Sequence, residues 1–99
     1  MIEGGGGTVE YMPPEYFDND IDPIAGDYWA FGCIVYELIF RKHPFAGIDR
    51  EETVRNIKEK DPIFFESTYE TLIKGLLAKN PSLRLKEPEV IRSLLLQFD

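Results

Sequence analysis

The sequence predicts an all-α domain in which three amphipathic helices pack around one central helix, with an ordered N-terminal loop. Three observations predict this class: a long run that is apolar on nearly every face, two capping patterns that precede segments of helical spacing, and a proline that opens a last apolar stripe. The chain has 99 residues, which allows one domain at most.

The predicted central helix is DYWAFGCIVYELIFRK, residues 27–42. A helix that is hydrophobic all round is buried, so it needs neighbours on every side, of which the three later helices can cover only part. The run is also too long for a single strand. Asp27 is the predicted N-cap, and Arg41 and Lys42 before Pro44 mark the C-terminal end.

Three shorter helices follow the central one. Capping patterns open the first two: Asp49 with Glu52 before a helix over about 50–60, and Ser67 with Glu70 before a helix that ends near residue 79. Pro88 takes the first position of the last helix. The apolar stripe of that helix is Val90, Ile91, Leu94, Leu95 and Phe98.

Residues 1–26 are predicted to be a loop, with one helical turn near 14–17, because they hold five of the eight glycines and three of the seven prolines. A phosphate cradle needs a preceding strand and usually a lysine, and GGGGTV has neither. The glycine run is therefore better interpreted as a flexible linker. This divides the chain into a glycine-rich segment, 1–6, and a domain over 7–99.

The formal net charge of −7 limits the partners. Nucleic acids and anionic membranes would repel such a chain, so we expect neither as a partner. A basic peptide or a basic protein surface is the better electrostatic match. Cys33 is the single cysteine, which excludes an internal disulfide. With no visible signal sequence, these features indicate a cytoplasmic or nuclear protein.

Four segments resemble a protein kinase. GTVEYMPPE, residues 7–15, resembles the end of the activation segment, Gly-Thr-x-x-Tyr-x-x-Pro-Glu. DYWAFGCIVYEL resembles the central helix of the kinase C-terminal lobe, and HPF and LLAKNPSLRL resemble elements that follow it. Their order matches the family from residue 7 to about residue 98. The chain thus resembles part of the C-terminal lobe of a Ser/Thr kinase domain, nearest to the cyclic-nucleotide-dependent and phosphoinositide-dependent group.

The resemblance implies a parent activity, the ATP- and magnesium-dependent phosphorylation of protein Ser or Thr. No H-R-D, D-F-G or V-A-I-K stands in the 99 residues. We therefore expect no catalytic residue, metal or cofactor in this chain, and no activity from it alone. Its partners would be a protein or basic-peptide substrate, the missing kinase segment, or a second copy through self-association. The alternative function is a non-catalytic interaction module that binds basic peptides or another kinase lobe.

Two charged residues resemble a structural ion pair of the family. Glu15 and Arg84 correspond to the pair that ties the activation segment to the last helices, and a planar guanidinium suits a carboxylate. The alternative is two solvated surface charges. Asp27 also corresponds to a residue that braces the catalytic loop, but the N-cap interpretation is favoured because that loop is absent from the 99 residues.

The resemblance also assigns substrate-seating residues. Gly7 and Thr8 would lie near the phospho-acceptor, and Val9 and Glu10 would line the pocket for the residue after it. The alternative for all four is an unstructured loop.

Glu37 is a lone carboxylate on an apolar helix, where burial without a partner is costly. By resemblance it would contact a substrate arginine. The favoured alternative is that it reaches solvent or pairs with Arg41 at i+4.

Overall fold

The computed structural model describes residues 6–19, 22–64 and 69–96. These residues form four α-helices and no strand, which confirms the predicted all-α class. The helices are α1, Pro23–Phe40; α2, Arg50–Glu59; α3, Glu70–Leu76; and α4, Pro88–Leu96. Two 3-10 turns precede them, Gly6–Tyr11 and Pro14–Asp18. The N-terminal segment is therefore more regular than the predicted loop, and its second turn lies where a helical turn was expected.

The start of α1 corrects the prediction that Asp27 is the N-cap. The helix begins four residues earlier, at Pro23, and Asp22 caps it by accepting hydrogen bonds from the amides of Ile24 and Ala25 at 3.1 and 3.3 Å. The Asp22–Pro23 step explains the earlier start, because an aspartate accepts from the free amides while proline at the first position has none to satisfy. Asp27 lies one turn inside the helix and is exposed.

The end of α1 also differs from the prediction. The helix ends at Phe40 rather than at Lys42, because Arg41 adopts a left-handed conformation with φ 63°. The Arg41 amide donates to the Glu37 carbonyl at 2.9 Å, which closes the last turn.

The two faces of α1 differ sharply in exposure. Its buried residues lie on one face: Ala25, Trp29, Gly32, Cys33 and Tyr36. On the opposite face, large apolar side chains are exposed: Ile24, Phe31, Ile34 and Leu38. In the described part of the chain, the later helices therefore cover only part of α1, as expected, and its opposite apolar face is exposed.

A glycine sets the distance between α1 and α3. A Cβ added to Gly32 would lie 2.8 Å from the Leu76 Cβ and 2.9 Å from the Leu77 Cδ2. Those distances are shorter than carbon atoms tolerate, so only glycine permits this approach of the two helices.

The capping pattern of α2 is present as predicted. The Asp49 side chain accepts from the Glu52 amide at 2.8 Å, and the Glu52 carboxylate accepts from the amide of Ile48 at 2.6 Å. The helix consequently begins at Arg50, where the pattern placed it.

The last two helices are short. Tyr69 stands at the N-cap position of α3, and Ser67, the predicted cap, lies outside the described residues. The helix ends at Leu76, three residues before its predicted end. Pro88 opens α4 as predicted, and Ile91 is its buried residue. In the described part of the chain, no helix is long and apolar enough to cross a membrane.

The core is centred on two stacked rings. Trp29 of α1 and Phe45, after α1, lie nearly parallel with ring centroids 5.3 Å apart. The Lys79 ammonium lies 4.5 Å from the Phe45 ring centroid and donates to the Ile57 carbonyl at 2.7 Å. Burial lowers the pKa of Lys79. The cation thus joins α1, α2 and the segment after α3 around one aromatic pair.

Candidate functional site

A buried ion pair anchors the N-terminal segment. The Arg84 Nη1 and Nη2 atoms lie 2.7 and 2.8 Å from the two carboxylate oxygens of Glu15. Arg84 is 3% exposed and Glu15 is 6% exposed. This bidentate, desolvated geometry makes the pair sensitive to the loss of either partner.

The remaining donors of Arg84 bind backbone carbonyls. Nη1 also donates to the Ala25 carbonyl at 3.0 Å, Nε to Ala78 at 2.9 Å, and Nη2 to Lys79 at 3.3 Å. All five N–H groups of the guanidinium are thereby used. Its centre also lies 5.0 Å from the Trp29 ring centroid. One side chain therefore joins the second 3-10 turn, the first turn of α1 and the segment after α3.

Glu37 has a partner that the sequence reasoning missed. The Tyr11 hydroxyl lies 2.9 Å from each of its carboxylate oxygens. The expected pairing with Arg41 is absent from the described ion pairs, because Arg41 leaves the helix in a left-handed conformation. The tyrosine of GTVEYMPPE is a possible hydrogen-bond donor in the sequence, but only the fold brings it next to Glu37, 26 positions away.

The protonation of Tyr11 favours this contact. Burial, followed by the hydrogen bond to Glu37 and the charge of that carboxylate, raises the pKa of Tyr11 to about 12. The edge of its ring also meets His43, with ring centroids 5.1 Å apart. Tyr11 is therefore a neutral hydrogen-bond donor to the Glu37 carboxylate near pH 7.

The substrate-seating residues predicted from the resemblance lie beside this pair, in the first 3-10 turn. Val9 is buried, and its carbonyl accepts from the Met12 amide at 3.1 Å. Glu10 is half-buried, and its charge contributes to the raised pKa of Tyr11. Gly7 lies in the same turn, whereas the Thr8 side chain lies outside the described part. The carboxylates of Glu10 and Glu37 thus both raise the pKa of the Tyr11 hydroxyl.

Asp27 lines a pocket that Tyr11 and Glu15 also line. It is exposed on α1 and makes no ion pair within 4.0 Å among the described residues. No described group of three or more His, Cys, Asp and Glu side chains is placed to hold a metal ion.

Comparison with known proteins gives matches over nearly the whole chain. The family model for the protein kinase domain matches residues 3–96. Serine/threonine-protein kinase UCN of Arabidopsis thaliana is 40% identical over 80 residues, which cover 79% of this chain and 20% of that protein. G protein-coupled receptor kinase 1 of Caenorhabditis elegans is 40% identical over 91 residues, covering 85% of this chain and 14% of that protein. Serine/threonine-protein kinase OXI1 of Arabidopsis thaliana is 37% identical over 86 residues, with 85% and 20% covered. The chain thus spans a fifth or less of the length of these relatives.

Proposed function

The chain belongs to the protein kinase domain family, and we propose that it supplies the part of a serine/threonine kinase domain that seats a basic protein substrate. The parent reaction is phosphoryl transfer from ATP to a protein Ser or Thr hydroxyl. ATP and magnesium would be held by kinase elements that are not among these 99 residues. The finer assignment to the cyclic-nucleotide-dependent and phosphoinositide-dependent group rests on GTVEYMPPE, and a cytoplasmic or nuclear location is part of the proposal.

The observation that carries the proposal is the contact between Tyr11 and Glu37. An ionised carboxylate offers about four lone-pair directions, and a single hydroxyl proton leaves most of them free. A substrate guanidinium would bind the remaining directions through two parallel hydrogen bonds. Because Tyr11 fixes the carboxylate from one side, little side-chain freedom is lost when the arginine binds.

Two further features support a basic ligand. Glu10 adds a second negative charge near Tyr11, and the net charge of −7 attracts a cationic peptide over a longer range. The Glu15–Arg84 pair holds the segment just after residues 9–11 against the core. The surface that contacts the peptide is therefore held in one conformation before the peptide binds.

Anisotropy of a fluorescent serine peptide with flanking arginines tests the proposal. We expect the chain to bind this peptide, and we expect an otherwise identical alanine-flanked peptide to bind much more weakly. Glu37→Gln keeps an acceptor for Tyr11 but removes the charge, and should weaken binding about tenfold or more, equal to about 1.4 kcal/mol.

Glu59→Gln is the matched control, because it removes the same charge from the exposed end of α2. It should change the affinity by less than about twofold, since exposed charges act weakly at physiological salt. If Glu37→Gln and Glu59→Gln weakened peptide binding equally, general charge attraction would explain the binding. Equal affinity for the arginine-flanked and alanine-flanked peptides would contradict the proposal.

A further inference from the structure

His43 is the single histidine of the chain, and it contacts both Tyr11 and the core residue Phe45. Its Nδ1 atom accepts a hydrogen bond from the Phe45 amide at 3.0 Å. Nδ1 can accept only when it carries no proton, so the proton of the neutral imidazole lies on Nε2. The buried Nε2 has no hydrogen-bond partner in the described part of the chain. This geometry therefore requires the neutral ring.

The Phe45 backbone that holds the imidazole is itself fixed in the core. The Phe45 side chain is 2% exposed and stacks on Trp29. The Phe45 carbonyl accepts from the side-chain amide of Asn56 at 3.0 Å, so this residue is held at its ring and at its backbone. Loss of the hydrogen bond at Nδ1 would therefore displace the His43 ring rather than the core.

The His43 ring also supports Tyr11. The two rings meet edge to face, with centroids 5.1 Å apart and an interplanar angle of 76°. The hydroxyl of Tyr11 in turn lies 2.9 Å from each carboxylate oxygen of Glu37. His43 consequently reaches the Glu37 carboxylate through one intervening side chain, which makes it a candidate positioning residue.

We infer that neutral His43 positions Tyr11 against Glu37, so that a basic peptide binds at neutral pH and dissociates when the histidine is protonated. The inference rests on the proposed function, because the affected carboxylate is the one that would hold the substrate arginine. An imidazolium has two N–H donors and no acceptor, so it cannot keep the hydrogen bond from the Phe45 amide. Its positive charge would also lie one ring away from Glu37 and would oppose the binding of an arginine. Both effects weaken peptide binding as the pH falls.

Other charged groups lie around the imidazole and could contribute to a pH dependence. The charged and titratable groups on the elements packed around it are Tyr11, Glu10, Glu37, Lys42, Lys60 and Asp61. Histidine changes its charge between about pH 5 and about pH 8, where carboxylates and lysines ordinarily keep theirs. A variant that changes only position 43 also keeps all six groups. A difference between the two pH profiles therefore isolates the histidine.

Anisotropy of the arginine-flanked serine peptide, acetylated at its N-terminus, is measured from about pH 8 to about pH 5.5. The affinity of the unmodified chain should fall about tenfold over this range, because only about a tenth of a histidine side chain stays neutral at the lower pH. His43→Asn keeps an acceptor for the amide two residues on and does not titrate, so its affinity should change by less than about twofold. A merely structural role of His43 would change the affinity of the variant by the same factor at every pH.

An NMR titration of the free, unmodified chain gives a second readout that needs no peptide. The Tyr11 ring resonances and the Phe45 amide should shift with the same midpoint as the His43 imidazole, because protonation displaces the ring that both contact. Constant Tyr11 resonances, or equal pH profiles of peptide affinity for the unmodified chain and His43→Asn, would overturn the inference. A peptide that does not bind at about pH 8 would instead contradict the proposed function, and the NMR titration would still decide whether His43 positions Tyr11.

Discussion

Replacing Arg84 by alanine should destabilise the chain far more than removing any exposed ion pair. The substitution leaves the Glu15 carboxylate, 6% exposed, without its counter-ion. It also removes the donors to three backbone carbonyls, those of Ala25, Ala78 and Lys79. Breaking one partner of a buried pair costs about 3–5 kcal/mol, and the lost carbonyl bonds place the expected value at the upper end. That is a large share of the roughly 5–15 kcal/mol available to a small domain.

Urea unfolding followed by circular dichroism measures the effect. With a slope of about 1–1.5 kcal/mol per molar urea for a domain of this size, the midpoint should fall by at least about 2 M. Lys58→Ala is the matched control, because it breaks a pair with Asp18 whose side chains are 39% and 63% exposed. Its expected cost is about 0.2–1 kcal/mol.

A second comparison separates charge from packing. Arg84→Met removes the cation but keeps much of the side-chain volume, and Glu15→Gln in the same chain then removes the stranded charge. The double variant should be more stable than Arg84→Met alone, because the uncompensated buried carboxylate is gone. Equal costs for Arg84→Ala and Lys58→Ala, or a double variant less stable than Arg84→Met, would show that the buried pair stabilises the chain no more than an exposed one does.

Three further predictions follow from other parts of the structure. Gly32→Ala should destabilise the chain by about 1–3 kcal/mol, because the added Cβ would lie 2.8 Å from the Leu76 Cβ. Gly26→Ala in the same helix should stabilise the chain by about 0.5–1 kcal/mol, since the atom nearest to its added Cβ would be 3.5 Å away. If urea unfolding gave the two variants equal effects, the close approach of α1 and α3 would not be what requires glycine at position 32. The fold raises the pKa of Tyr11 from 10.0 to about 12, so its contribution to stability is complete below pH 10 and is lost as the pH rises towards 12. Between pH 10 and pH 12, the free energy of unfolding of Tyr11→Phe should therefore fall less than that of the unmodified chain. Burial also raises the pKa of the Cys33 thiol to about 12, but this thiol is present in both proteins and its effect cancels in the comparison. If the free energies of unfolding of the two proteins changed in parallel with pH, Tyr11 would not be the group responsible. Calorimetric titration with Mg-ATP should give no binding heat, whereas a magnesium-dependent micromolar signal would reveal a nucleotide site within the chain.

The sequence predicted the helices well where local chemistry decides their bounds. The Asp49 cap of α2 and Pro88 at the start of α4 depend on residues within one turn, and both lie where the patterns placed them. Asp27 was a plausible cap by the same rules, but Asp22 before a proline competed successfully for the helix start. Local patterns cannot rank two such candidates when the preceding segment is also partly helical.

Features that depend on tertiary contacts were harder to predict from the sequence. The motif pattern suggested Glu15 and Arg84 as partners 69 positions apart, yet it gave no sign that Arg84 also binds three carbonyls. The contact from Tyr11 to Glu37 was missed because helical spacing offered Arg41 as a nearer partner. The apolar composition of α1 indicated that it needs neighbours on every side and that the later helices cover only part of it, but composition alone does not show which face they cover.

The most direct test of the central claim, that Glu37 holds a substrate arginine, is a double-mutant cycle across the chain–peptide interface. Four dissociation constants are measured by anisotropy: the unmodified chain and Glu37→Gln, each with a peptide that carries arginine or its neutral isostere citrulline. If the carboxylate binds the guanidinium, the two changes should be non-additive, with a coupling energy of about 1.4 kcal/mol or more, a factor of ten in affinity. Additive effects, with a coupling energy near zero, would show that the arginine binds elsewhere and would contradict the account.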